Sequence, residues 1–181
     1  MLCSNSVIDE LLKERKATIS TKHDKNYRIV YSRPGGFFDV VISNDRESIG
    51  FITLKYVGEG TYSIVNDIKI NPHPSFINTP GHGMEVKETF RKRGLGATLL
   101  SLGIGIVQRD WRIDGKGKDF KVVASDITSQ GFGCYQNFGF TIKEGMKVST
   151  GYYTNPDTVP DINILSRKVP FSKRIKKRFR W

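Results

Sequence analysis

Apolar residues in this chain are organised one way in its first half and another in its second, and that change limits the fold more than any other feature. Tyr27 to Tyr31, Phe37 to Ile42, Ile49 to Val57 and Tyr62 to Ile70 are β-rich runs. Arg33-Pro34-Gly35-Gly36, Ser43-Asn44-Asp45 and Gly58-Glu59-Gly60 separate them, so hairpins are the simplest connection. After Met84 the pattern becomes strand, basic glycine turn, helix. Met84 to Phe90 reads as a strand, and Gly94 to about Arg109 as a helix with Leu99, Leu100, Leu102, Ile106 and Val107 as its apolar surface. Lys121 to Ser125 is a further strand, Ser129 to Asn137 a short helix, and Phe140 to Ser149 and Ile162 to Val169 two more strands. At the start, Ser6 and Asp9 form a capping-box pattern ahead of Val7, Ile8, Leu11 and Leu12, which predicts a short helix. Hairpins followed by β-α-β-α-β-β imply an α/β fold: a mixed sheet with helices on its faces.

A length of 181 residues suits one domain, and 38% apolar with 11% aromatic residues describes a chain that folds. No stretch has the roughly 18 apolar residues of a membrane span. Met1 to Ser20 carries Asp9, Glu10, Lys13, Glu14, Arg15 and Lys16 where a signal peptide would be apolar, so the expected location is the cytoplasm. Cys3 and Cys134 fit a reducing compartment and match no metal-ligand spacing, so no metal is expected. The net charge of +11 is concentrated. Arg167 to Trp181 holds eight basic residues and no acids, leaving 21 Lys and Arg against 18 Asp and Glu in the body. The division is thus a catalytic or binding domain over 1–169 and a basic tail over 170–181. In the tail, Phe171, Ile175 and Phe179 fall on one face if it is helical. Such a peptide could meet nucleic-acid phosphates, an anionic membrane surface or an acidic partner, including a second subunit in a homodimer, or remain solvated.

Chemistry points elsewhere, to Val86 through Leu100. A strand ends, Arg91-Lys92-Arg93 lead into Gly94-Leu95-Gly96, and a helix opens with Ala97 and Thr98. A helix N-terminus offers backbone N–H groups without intrahelical partners and a partial positive charge, and glycines let a phosphate approach. The plainer alternative is a glycine turn with a solvated basic rim. A Rossmann fingerprint would need a third glycine where Leu99 stands, and a phosphate-binding Walker loop would need a lysine that Gly96-Ala97-Thr98 lacks.

These residues resemble the GNAT-type N-acetyltransferase family. Its turn motif is Gln or Arg, two residues, Gly, one residue, then Gly or Ala; Arg91, Gly94 and Gly96 fit, with Val86 eight positions before the first glycine. Tyr135-Gln136-Asn137-Phe138-Gly139-Phe140 is similar to its Tyr-x-x-x-Gly-Phe segment. The resemblance implies a mostly antiparallel central sheet, helices on both faces, and a central strand pair splayed at a bulge. It implies acetyl-coenzyme A as co-substrate and an amine as acceptor. Met84 and Val86 would pair with the pantetheine arm; Arg91, Lys92, Arg93, Gly94, Leu95, Gly96, Ala97 and Thr98 would surround the pyrophosphate. Thr128 stands where many members have Asn, and Gly131 where they have Ala; the Thr could still donate to a coenzyme oxygen. Tyr135 matches the position whose phenol acts as general acid toward the departing thiolate.

Strand alternation makes Glu85 the candidate base, because its side chain points opposite to Met84 and Val86. His73 and His82, in the Pro/Gly-rich loop Asn71 to Gly83, are the alternates. Cys134 adjoins Tyr135, yet no histidine has the context of a partner, so direct transfer is expected. The expected activity is N-acetyl transfer to a primary amine. The alternative is a non-catalytic module of the same fold that uses its tail to bind nucleic acid or a protein.

Overall fold

A computed structural model describes residues 4–20, 26–64, 83–113, 120–143 and 149–154. Helix α1 (Ser4–Glu14) buries Val7, Ile8 and Leu11 along one side. It starts ahead of Ser6, which is exposed inside the helix rather than capping it. Arg15 then adopts a left-handed φ of 61°, its amide bonds to the Leu11 carbonyl at 2.9 Å, and the chain passes directly into β1 (Lys16–Ile19). The sequence reading had no strand there, because no turn residue separates these four residues from the helix.

Strands β1, β2 (Tyr27–Ser32), β3 (Phe37–Ser43), β4 (Ser48–Gly58) and β5 (Thr61–Ile64) form an antiparallel meander. The expected turn residues close it. The Asn44 Oδ1 atom accepts from the amides of Arg46 and Glu47, each at 2.8 Å. Strand β6 (Met84–Val86) then returns to β4, and Thr53 N–H donates to the Gly83 carbonyl at 2.8 Å. Residues Leu54 to Gly58 of β4 pair with β5, and Gly50 to Ile52 pair with β6. The two short strands therefore lie end to end along one edge of β4. The expected strand Met84 to Phe90 is cut short: Lys87 N–H makes a last bond to the Ile49 carbonyl at 2.8 Å, and Glu88–Phe90 turn as a 3-10 helix.

Helix α2 (Leu95–Ile113) crosses to β7 (Lys121–Ile127), which pairs in parallel with β5. Helix α3 (Ser129–Phe138), β8 (Thr141–Lys143) and β9 (Ser149–Tyr153) follow, and β9 lies between β7 and β8. The sheet is thus mixed and mostly antiparallel, as expected. The strand read from Phe140 to Ser149 is resolved into β8 and the start of β9; the strand Ile162 to Val169 and the tail 170–181 lie outside the described residues. No described helix is long and apolar enough to cross a membrane.

The core is built on one face. Leu54, Ile64, Ala124 and Gly151 face one another across four strands, and Gly103 of α2 sits on Leu54 and Ile52. A Cβ on Gly103 would lie 2.8 Å from Leu54 Cδ1, so glycine lets the helix approach the sheet. Phe138 of α3 packs on Tyr153 on that same face, and Asp9 of α1 pairs with Arg109 of α2 at 3.3 Å. All three described helices therefore occupy one face, where helices on both were expected. The other face carries a buried polar pair, with Thr53 Oγ1 donating to Asp39 Oδ1 at 2.8 Å.

Candidate active site

Backbone parity at β6 decides which groups are available. Gly83 O and Lys87 N–H point toward β4, so the N–H and C=O groups of Met84 and Val86, on the alternate residues, point away from it. Among the described residues β6 pairs with β4 alone. On the other side, β7 pairs with β5 only as far as Ala124, leaving Ser125 to Ile127 beyond the end of that ladder. A wedge opens between β6 and the last residues of β7. Its cause differs from the expected one. The register irregularity of β7, between Ala124 and Ile127, is on its β9 edge, and the strands part because β5 stops at Ile64.

The basic turn lies at the narrow end of β6. Lys92 (φ 62°) and Gly94 (φ 81°) are both left-handed, and a Cβ on Gly94 would meet nothing within 4 Å. The first helical bond of α2 runs from Thr98 N–H to the Gly94 carbonyl at 3.0 Å. The amides of Gly94, Leu95, Gly96 and Ala97 consequently have no intrahelical acceptor, which suits an anion. Side chains in the turn divide differently from expectation. Leu95 is buried in the core and offers only its backbone, while the buried Thr98 hydroxyl donates to the Gly94 carbonyl at 3.1 Å and so shapes the turn. Arg93 donates to the Thr89 carbonyl at 3.2 Å and lies over the Phe90 ring. Arg91 Nε donates to the Val86 carbonyl at 3.1 Å and its Nη1 to Gln130 Oε1 at 2.8 Å. Lys92 is exposed.

Helix α3 closes the site from the other side. Thr128 is its N-cap, and its Oγ1 accepts from Gly131 N–H at 3.3 Å, a role the sequence reading did not assign. Gly139 ends the helix at φ 105°, its amide bonding to the Gln136 and Tyr135 carbonyls. Phe140 then packs edge-on against Tyr135 at 5.0 Å, so the Tyr-x-x-x-Gly-Phe spacing has a structural basis in a helix stop and a ring contact. A Cβ on Gly96 would lie 3.0 Å from Cys134 Sγ, which shows how closely α2 and α3 meet.

Burial raises the Tyr135 phenol above its ordinary value, and charge on neighbouring Cys134 would raise it further. Burial also raises the Cys134 thiol. Both therefore stay protonated at neutral pH. Glu85 is half-buried and lies opposite Phe51, on the sheet face turned away from α2, whereas Tyr135 packs on the helix-bearing face. His73 and His82 fall outside the described residues. Gln130 is the site residue that sequence reasoning missed. Nothing marks it locally; only its position in the first turn of α3, facing the basic turn, brings it to Arg91.

No family model matches the sequence, and no curated protein matches it. Solved structures do match. The GNAT domain of PAT from S. lividans aligns with a TM-score of 0.53 at 8% identity, over 78% of this chain and 98% of that one. A cAMP-binding acyltransferase from Mycobacterium smegmatis aligns with a TM-score of 0.52 at 11% identity, over 87% of this chain and 53% of that one. The chain thus spans about half the length of that protein. The AtaT toxin, bound to the C-terminus of the antitoxin AtaR, aligns over 65% of this chain and 66% of that one with a TM-score of 0.44 at 12% identity, and nothing is built on it. At these identities the likeness is one of fold.

Proposed function

We propose that this chain, which has the GNAT fold, moves an acetyl group from acetyl-coenzyme A to a primary amine by direct transfer in a ternary complex. The wedge carries this reading: an open strand edge at Met84 and Val86 runs toward four helix-start amides at Gly94 to Ala97. Those amides suit the pyrophosphate, and the outward groups of Met84 and Val86 suit the amides of the pantetheine arm. Lys92 supplies exposed positive charge beside them. The coenzyme, when bound, supplies an activated acetyl thioester.

The remaining chemistry falls to side chains from both faces of the sheet. Glu85 takes the proton of the attacking amine, directly or through water. Tyr135 holds a proton for the departing sulfur. Because burial raises its pKa, it acts more as a hydrogen-bond donor to developing negative charge than as a fully dissociating acid. A protonated, half-buried Cys134 is a poor nucleophile, which favours direct transfer over an acyl-cysteine.

A second reading keeps the fold as a binding scaffold without turnover. The burial of Tyr135, 7% exposed and packed on Phe140, is the observation that favours it. Thiol release from acetyl-coenzyme A, offered with small amines, peptides and aminoacyl-RNA, separates the two. The expected outcome is acceptor-dependent release, lowered by about a hundredfold or more in Tyr135→Phe with coenzyme binding retained. Coenzyme binding without release on any acceptor would favour the scaffold, and no calorimetric uptake at millimolar coenzyme would remove the assignment.

A further inference from the structure

Arg91 makes two bonds that a phosphate-binding role does not require. Its Nε donates to Val86 O at 3.1 Å, and its Nη1 donates to Gln130 Oε1 at 2.8 Å. By the parity of β6, Val86 O lies on the strand edge that faces away from β4, which is one wall of the wedge. Gln130 belongs to the first turn of α3, which follows directly on the end of β7, the other wall. A single guanidinium therefore spans the wedge beside the start of α2. Its planar fork makes this possible, since donors in fixed relation reach both acceptors at once.

We infer that Arg91 is a gate: it clasps the wedge shut in the ligand-free protein and swings away when the coenzyme arm enters. This rests on the coenzyme reading proposed above. An arm lying along the edge of β6 must pass between Val86 and Gln130 and therefore meets the clasp. The released guanidinium lies within the same short turn as the free amides of α2, so an arriving diphosphate offers it a new partner in place of the two it gives up. Closure lowers apparent affinity by the fraction of molecules held shut. Arg91 is thus a positioning residue that controls entry, and Gln130 is its latch.

The first test needs no ligand. In 15N NMR of the whole chain, the Arg91 Nε–H signal is expected to exchange slowly with solvent, and Gln130→Ala to accelerate that exchange. Coenzyme A is then titrated into the wild type, Gln130→Ala and Arg91→Lys by calorimetry and stopped flow. Gln130→Ala keeps the arginine charge but loses the latch. It is expected to bind coenzyme A about threefold to fivefold more tightly, the worth of one hydrogen bond, with the gain in the association rate. Arg91→Lys keeps the charge without the fork, and is expected to associate as fast as Gln130→Ala. A permanent strut would instead make Gln130→Ala bind more weakly, and a pure phosphate ligand would leave it unchanged; either result overturns the gate while coenzyme binding stands. Rapid exchange of Nε–H in the free wild type overturns it as well. No uptake by any of the three proteins overturns the coenzyme reading and the gate together.

Discussion

The seam between α2 and β4 and the wedge beside β6 lie on adjacent stretches of one strand, yet they are held by different forces. At the seam, Ile52, Leu54, Leu99, Leu100 and Leu102 are fully buried, and Gly103 brings helix and sheet within contact of a missing Cβ. Non-directional burial dominates there, and every atom has neighbours. At the wedge, Met84, Glu85 and Val86 are all half-buried, β6 is three residues long, and its outer edge is met by a guanidinium rather than a strand. Directional bonds between few groups dominate there. Such bonds can be exchanged for those of a ligand at little cost, whereas buried apolar contacts cannot. The contrast teaches that the fold places stability and adaptability about 5 Å apart, one strand spacing.

The strongest way to break the comparison is Leu54→Ala at the seam. It should cost about 2 to 5 kcal/mol of unfolding free energy, because the cavity opens beneath Gly103 where the helix cannot collapse further. Coenzyme affinity of the fraction that stays folded should hold, as calorimetry below the denaturation midpoint would show; a parallel loss of affinity would mean seam and wedge are one unit. Gly50→Ala acts at the junction. Its Cβ would sit 2.7 Å from the Glu85 carbonyl, so β6 must shift. A cost of about 1 to 3 kcal/mol is expected, smaller than at the seam, but accompanied by weakened coenzyme uptake. Unchanged uptake would detach β6 from the coenzyme.

The smallest effect is a pH dependence. Tyr135 has a folded pKa raised above its ordinary value of 10.0, so the unfolded chain releases its proton first and binds fewer protons than the native one. Its contribution is full below about pH 10 and is lost as pH rises beyond it, by at most about 1.4 kcal/mol per pH unit. Cys134 adds the same sign from its ordinary value of 9.0. Denaturant titrations should therefore show stability falling on the alkaline side, and Tyr135→Phe should flatten that fall above about pH 10. An equal slope in both proteins would mean that the ring titrates alike in the folded and unfolded states.

Much of this architecture was legible residue by residue. The hairpin strands, the helix after the basic turn and the short helix before Gly139 all follow from local spacing and turn chemistry, and they differ from the observed elements mainly at their ends. Helix α2 runs to Ile113, beyond the expected Arg109, because Asp110 is held from outside: Tyr62 donates to its Oδ2 at 3.0 Å, and Arg33 pairs with its Oδ1 at 3.1 Å. Strand β1 exists because β2 pairs with it, not because four residues specify a strand. Gly103, a penalty by helix propensity, is repaid by a contact with a strand nearly fifty residues earlier.

What the string of residues settles here is whatever depends on neighbours a few positions apart: strand or helix, where a turn must fall, that Gly94 opens α2 and Gly139 closes α3. Register, sheet face and edge pairing join residues far apart in the chain, and no local pattern encodes them. That β6 shares an edge of β4 with β5, that Glu85 and Tyr135 approach from opposite faces, and that Arg91 reaches Gln130 thirty-nine positions away became definite only when the strands paired and the helices docked.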